Sequence, residues 1–109
     1  MQILHYEKDF HYSDSQFLAV ARKLGKLATF CKRLKDEASS IRIDVESRST
    51  EKLQDKLKVS ITIELPEKCL RAESRRLDAV EAVDRCVEKL EPQLKKYKEL
   101  NIQRARARS

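Results

Sequence analysis

Glycine is nearly missing from this chain: Gly25 is the only one among 109 residues. A glycine-rich loop that cradles phosphate, of the P-loop or dinucleotide-binding kind, is therefore excluded. Histidine occurs twice, as His5 and His11, with no accompanying cysteine or carboxylate pattern of metal-ligand spacing. The three cysteines, Cys31, Cys69 and Cys86, are odd in number and show no CxxC spacing. They read as free thiols in a reducing compartment and not as zinc ligands. No serine, cysteine or lysine has a recognisable base beside it in sequence. A small enzyme or metal protein using His5, His11 and the cysteines is thus the least supported class, and no cofactor or small-molecule substrate is implied. No run approaches the ~18 apolar residues of a membrane span. The N-terminus has no basic segment leading into an apolar stretch, so no secretory signal is expected and a cytoplasmic location is.

Charge is what the chain has in excess. Charged residues make up 39% of it, and the net charge is +6. The ordinary charged share is ~25%. The apolar residues are nevertheless periodic, which argues for one folded domain with a heavily charged surface. The positive balance favours a polyanionic partner.

Residues 2–8 read as a short strand. Ser13-Asp14-Ser15-Gln16 has the form of a capping box, with Tyr12 placed as a hydrophobic staple. A helix is expected over residues 14–35. Phe17, Val20, Ala21, Leu24, Leu27, Ala28, Cys31 and Leu34 share its apolar face; Arg22, Lys26, Thr29 and Arg33 lie opposite. Gly25 interrupts it at a cost of ~1 kcal/mol, and its missing side chain is expected to let another surface approach. Residues 41–46 and 57–65 alternate apolar and polar, as half-buried strands do. Residues 69–74 read as a last strand, with Leu70 and Ala72 inward. Short connections predict an antiparallel meander.

A second helix is expected from about residue 77 to residue 100. Val80, Val83, Val87, Leu90 and Leu94 form its seam, widened by Ala79, Cys86 and Tyr97. Arg85, Lys89 and Lys96 edge one flank of the seam; Glu81, Asp84, Glu88 and Glu91 edge the other. Pro92 predicts a kink, or an end and restart. The element order is β-α-β-β-β-α. It implies an α+β two-layer sandwich, with two helices on one face of a four-stranded sheet. The other sheet face is polar: Arg42, Asp44, Glu46, Lys58, Ser60, Thr62 and Arg71. If the helices lie side by side, Arg22, Lys26 and Arg33, then Arg71, Arg75 and Arg76, then Arg85, Lys89 and Lys96 form a single positive surface. Such a surface would neutralise phosphates with little sequence preference. An amphipathic membrane helix is not expected, because both seams are needed for the core.

These residues carry a resemblance to a known family. The stretch from Asp78 through Ala79-Val80-Glu81-Ala82-Val83-Asp84 to Glu88-Lys89-Leu90, Gln93-Leu94 and Lys96 resembles the last helix of the ribosome hibernation promoting factor and ribosome-associated inhibitor family. Arg71-Ala72-Glu73-Ser74-Arg75-Arg76 is similar to the strand before it. Phe10-His11-Tyr12-Ser13-Asp14 and Lys23-Leu24-Gly25-Lys26-Leu27, with Phe30 and Arg33, are similar to the first helix and its entry. Met1-Gln2-Ile3 also fits. The resemblance implies a fold like that of double-stranded-RNA-binding domains. It implies a non-enzymatic translation inhibitor in the messenger and transfer-RNA channel, at the decoding centre of the small ribosomal subunit across the A and P sites. Lys23, Lys26, Arg33, Lys89 and Lys96 match the family's RNA-contacting basic positions; Arg22, Arg71, Arg75, Arg76 and Arg85 are added from the charge pattern. The chain departs from the family at Pro92. It carries neither the dimerising domain nor the acidic tail of longer members, so a short form is expected: residues 1–100 as the domain and 101–109 as a mobile basic tail. A general double-stranded-RNA-binding module of the same element order is the alternative.

Overall fold

Six elements follow one another in the computed structural model: β1 (Gln2–Lys8), α1 (Asp14–Lys32), β2 (Ser40–Ser47), β3 (Leu57–Leu65), β4 (Lys68–Arg76) and α2 (Ala79–Arg108). It describes residues 2–32, 40–47, 56–65 and 68–108, with backbone alone for residues 2, 30–32 and 101–108. The sheet order is β1-β2-β3-β4. β2, β3 and β4 form the expected antiparallel meander. β1 instead pairs parallel with β2, because α1 carries the chain back across the sheet between them.

Alternation decides which side of each strand is covered. Ile41, Ile43, Val45, Val59, Ile61 and Ile63 are at most 1% exposed, and with Leu70 and Ala72 they form the inner face. α2 lies over β3 and β4 and beside α1. It contributes Ala82, Val83, Cys86, Val87, Leu90, Leu94 and Tyr97 to the core; α1 contributes Val20, Leu24 and Leu27. The α2 seam is therefore buried as its spacing predicts. Phe17 of α1 is the exception at 45% exposed, since it packs at the open β1 margin against His5 and Tyr12.

The helix starts follow local chemistry. The Ser13 hydroxyl accepts from the Gln16 amide at 3.2 Å, and the Gln16 side chain accepts from the Ser13 amide at 2.9 Å. Those two bonds are the capping box, and the Tyr12–Phe17 contact is its staple. Asp9 takes φ 53°, a left-handed conformation that aspartate tolerates, as the chain leaves β1. At α2 the Asp78 carboxylate accepts from the Val80 amide at 3.1 Å, so Asp78 caps the helix from outside it.

Three expectations change. α2 neither ends nor restarts at Pro92, and it continues through Arg108, so the backbone of residues 101–108 is helical. Pro92 removes the amide that would bond the Glu88 carbonyl. Both residues are on the exposed side, where water can take that carbonyl. One residue on, the Gln93 side chain donates to the Lys89 carbonyl at 3.1 Å. Gly25 accommodates no approaching surface, because a Cβ there would meet nothing within 4 Å. Gly25→Ala is accordingly expected to stabilise the protein by about 0.5–1 kcal/mol, since alanine restricts the unfolded chain without a clash. A later midpoint in urea denaturation is the readout, and an earlier one would reveal a steric role. The expected helical residues 33–35 lie outside the described residues.

Strand direction fixes where the helix ends lie. β1, β2 and β4 run the same way, and each helix runs back against the strand before it. The two helices are therefore parallel, with both N-termini at one pole and both C-termini at the other.

Candidate nucleic-acid interface

On α1, Arg22 and Lys26 are one turn apart and exposed. Neither makes a hydrogen bond or ion pair with a described residue. Lys23, beside them in sequence, points to α2 instead. Its ammonium donates to the Asp84 carboxylate at 2.7 Å, across 61 positions of sequence. That bond holds the Asp84 carboxyl below the usual carboxylate range, against the opposing effect of desolvation. Lys23 is thus a clasp between the helices. Arg33 lies outside the described residues.

The sheet margin is more thoroughly paired. Arg71 and Arg75 project from the open face of β4 and converge with Lys58 on Glu73, at 3.9, 3.7 and 3.5 Å. Arg76, on the helix side, reaches the carbonyl of Arg75 and the Glu81 carboxylate at 3.7 Å. The rest of the open face is neutralised in the same way. Arg42 bonds Asp44 and lies 4.3 Å over the Tyr6 ring, and Lys8 meets Glu46. Together Arg42, Asp44, Glu46, Lys58, Ser60, Thr62, Glu64 and Arg71 line a shallow polar depression of about 360 Å³. The polar outer face read from alternation is therefore present, but it is a lattice of opposite charges.

On α2, Arg85 pairs with Glu88 at 3.1 Å. The Lys89 ammonium donates to the Glu73 carbonyl of β4 at 2.7 Å. Lys96 is exposed and has no partner among the described residues. Lys95, next to it, is also exposed and unpaired among the described residues. Sequence reading passed over Lys95; its place seven residues beyond Glu88, on the solvent side of the seam, was the available signal.

These contacts fix which flank of α2 faces which neighbour. The flank with Asp84 faces α1, and the flank with Arg85, Lys89 and Lys96 faces the β4 margin. The helices do lie side by side, with Lys89 turned to the β4 margin, while Lys26 of α1 and Arg85 of α2 both act on the Asp84 carboxylate. The acidic edge also divides, because Glu81 pairs with Arg76 on the β4 side. Residue spacing defines the two flanks of a helix, but only the sheet order says what lies beside each.

Catalytic and metal chemistry has little material here. His11 bonds Glu7 at 3.3 Å, and the His5 ring lies 5.5 Å from Phe17. Among the described residues, no group of three or more His, Cys, Asp or Glu side chains could hold a metal ion. Burial pushes the Cys86 thiol up to about 11, and its hydrogen points to the carbonyls of Val59 and Ala72. Cys86 is therefore a core residue, whereas Cys69 is exposed. The side chain of Cys31 is not among those described. No helix among the described residues is long and apolar enough to cross a membrane.

Element order, sheet topology and charged surface together define an α+β two-layer domain that presents cations from its helices. The same architecture occurs in the N-terminal domain of Protein Y from Thermus thermophilus. The two are 22% identical with a TM-score of 0.66, over 89% of this chain and 99% of that one. A ribosomal subunit interface protein from Coxiella burnetii is 26% identical with a TM-score of 0.68, over 91% of this chain and 99% of that one. The model of the family described as sigma 54 modulation protein / S30EA ribosomal protein matches residues 6–101, and the chain belongs to that family. It is a ribosome-associated hibernation factor by that membership.

Proposed function

We propose that this protein binds the small ribosomal subunit in the messenger and transfer-RNA path at the decoding centre, in the cytoplasm, and silences idle ribosomes by occluding it. The family match over residues 6–101 carries this reading. The ribosomal subunit interface protein of the same fold adds to it. The cations exposed on the helices support binding to phosphate.

Arg22, Lys26 and Lys96 would make the first phosphate contacts, because none of them makes a hydrogen bond or ion pair with a described residue. Lys95 joins that set. Arg33 belongs with α1 by sequence. Lys23, Arg71, Arg75, Arg76, Arg85 and Lys89 already have partners inside the molecule. They would contribute to RNA through spare donors, or by exchanging an internal carboxylate for a phosphate. The messenger path suits a wedge of this kind, since contacts to phosphate position a protein without reading bases.

The test is co-sedimentation with purified small subunits across a salt series. For ~6 phosphate contacts the affinity should fall ~10³-fold between about 50 and 200 mM salt. Messenger and transfer RNA bound beforehand should block it. Flat salt dependence, or full binding to subunits already filled with messenger and transfer RNA, would remove this reading. Titration off the subunit by free duplex RNA would favour a general RNA-binding module instead.

A further inference from the structure

The end of α2 does not cover the sheet. Residues 79–97 rise about 28 Å at 1.5 Å per residue. That matches β4, whose 9 residues span about 30 Å. Tyr97, 8% exposed, is the last core residue among the helix's described side chains. Residues 98–108 continue for about 16 Å more with no sheet beneath them. The shape of the molecule agrees. Its radius of gyration is 15.3 Å and its longest extent 55 Å, whereas a compact chain of this length has a radius of gyration of about 13 Å.

This projection is strongly cationic. It carries Lys98, Arg104, Arg106 and Arg108 against the single carboxylate of Glu99. The arginines are two positions apart, so successive ones are about 200° apart around the helix. Arg104 and Arg108, four positions apart, share one face about 40° wide, and Arg106 lies on the opposite side. A flat acidic protein surface would meet only one of those faces. A nucleic-acid groove, walled by phosphates on both sides, meets both. An anionic lipid surface requires a broad apolar face to bury, and the only apolar residues larger than alanine in 98–108 are Leu100 and Ile102, two positions apart and therefore about 200° from each other around the helix.

We propose that residues 98–108 of α2 are an RNA-binding arm, a helical projection past the sheet whose arginines lie among the phosphates of an RNA segment beyond the one the domain body contacts. This rests on the ribosomal reading above and adds a second, separable contact to it. Because the helices are parallel, the arm leaves the body at the pole where α1 ends. Body and arm would then grip RNA on the same side of the protein, and the bound footprint would be longer than the sheet.

The full-length protein and its triple variant Arg104→Ala, Arg106→Ala, Arg108→Ala are compared for binding to small subunits across a salt series. Alanine keeps the helix propensity of the arm, and circular dichroism checks that the helix content is retained. The expected result is at least a tenfold loss of affinity at about 0.1 M salt, with the salt slope reduced by about 2–3, one contact per arginine. Equal affinity and equal slope for both proteins would overturn the arm and leave the ribosomal reading standing. Weaker binding with an unchanged slope would also overturn it, because the lost partner would then be protein and not phosphate. Absence of binding by either protein would overturn the ribosomal reading itself, and the arm with it.

Discussion

Replacing Arg22 and Lys26 together with glutamate will weaken binding to the small subunit by about 100-fold at about 0.1 M salt. Each phosphate neutralised by a cation releases counterions worth about eightfold in affinity at that salt, so two lost contacts give about 60-fold. The two introduced carboxylates then repel the same phosphates. The fold should not notice. Both side chains are exposed and unpaired among the described residues, and surface changes of this kind stay within about 0.5 kcal/mol. That separation makes the pair more informative than Lys89, whose ammonium also holds the Glu73 carbonyl at the sheet margin. A double variant that melts like the parent yet binds subunits equally well would move the interface off the outer face of α1. The salt series sharpens the result, because the variant's slope should be shallower by about two.

Leu90→Ala will cost about 3 kcal/mol of stability, while Leu100→Ala will cost less than about 0.5. The two substitutions remove the same atoms from the same helix. Leu90 is 0% exposed and belongs to the core; Leu100 is 41% exposed, on the projecting part of α2. At Leu90 the truncation loses transfer free energy and leaves a cavity that packed neighbours fill only partly. At Leu100 water already touches the side chain, and alanine is the better helix former. For a domain of about 100 residues, 3 kcal/mol lowers the melting temperature by roughly 10–20 °C. Stability near 10 kcal/mol would be cut by about a third. Equal shifts for the two variants would mean that the α2 seam and the projection are not separate structures.

The elements were legible because their signals were local. The Ser13–Gln16 box, the alternation along β2 and β3, and the 80-83-87-90-94 seam each depend on residues a few positions apart. The relations between elements were not legible in that way. Nothing near Lys23 in sequence reveals that Asp84 receives its proton donor, and the same holds for Lys89 and the Glu73 carbonyl. Both cations were assigned to RNA contact by resemblance, and their internal pairing across 61 and 16 positions leaves no periodic trace. Basic residues could be counted from sequence, but which of the expected contact residues have no partner among the described residues, Arg22, Lys26 and Lys96, emerges only from the packed domain. The helical backbone of residues 101–108 was missed for a different reason. Leu100 is the last member of a recognisable apolar pattern, and the alanines and arginines beyond it favour helix by propensity without declaring a face.

The parallel course of α1 and α2 has a consequence for how the protein arrives at its target. Asp14, Asp78 and Glu81 stand at the pole where both helices begin. Lys95, Lys96, Lys98 and the arginines at 104, 106 and 108 stand toward the other. Full side-chain charges outweigh the half-charges of the helix ends, so the long axis of the molecule is an electric lever with its positive end at the projecting helix. Near a polyanion a torque acts before any contact forms, and it turns that end forward. Collisions are sorted by orientation while the protein is still in solution. Such sorting raises the rate of productive encounter and fades as the Debye length shrinks with added salt.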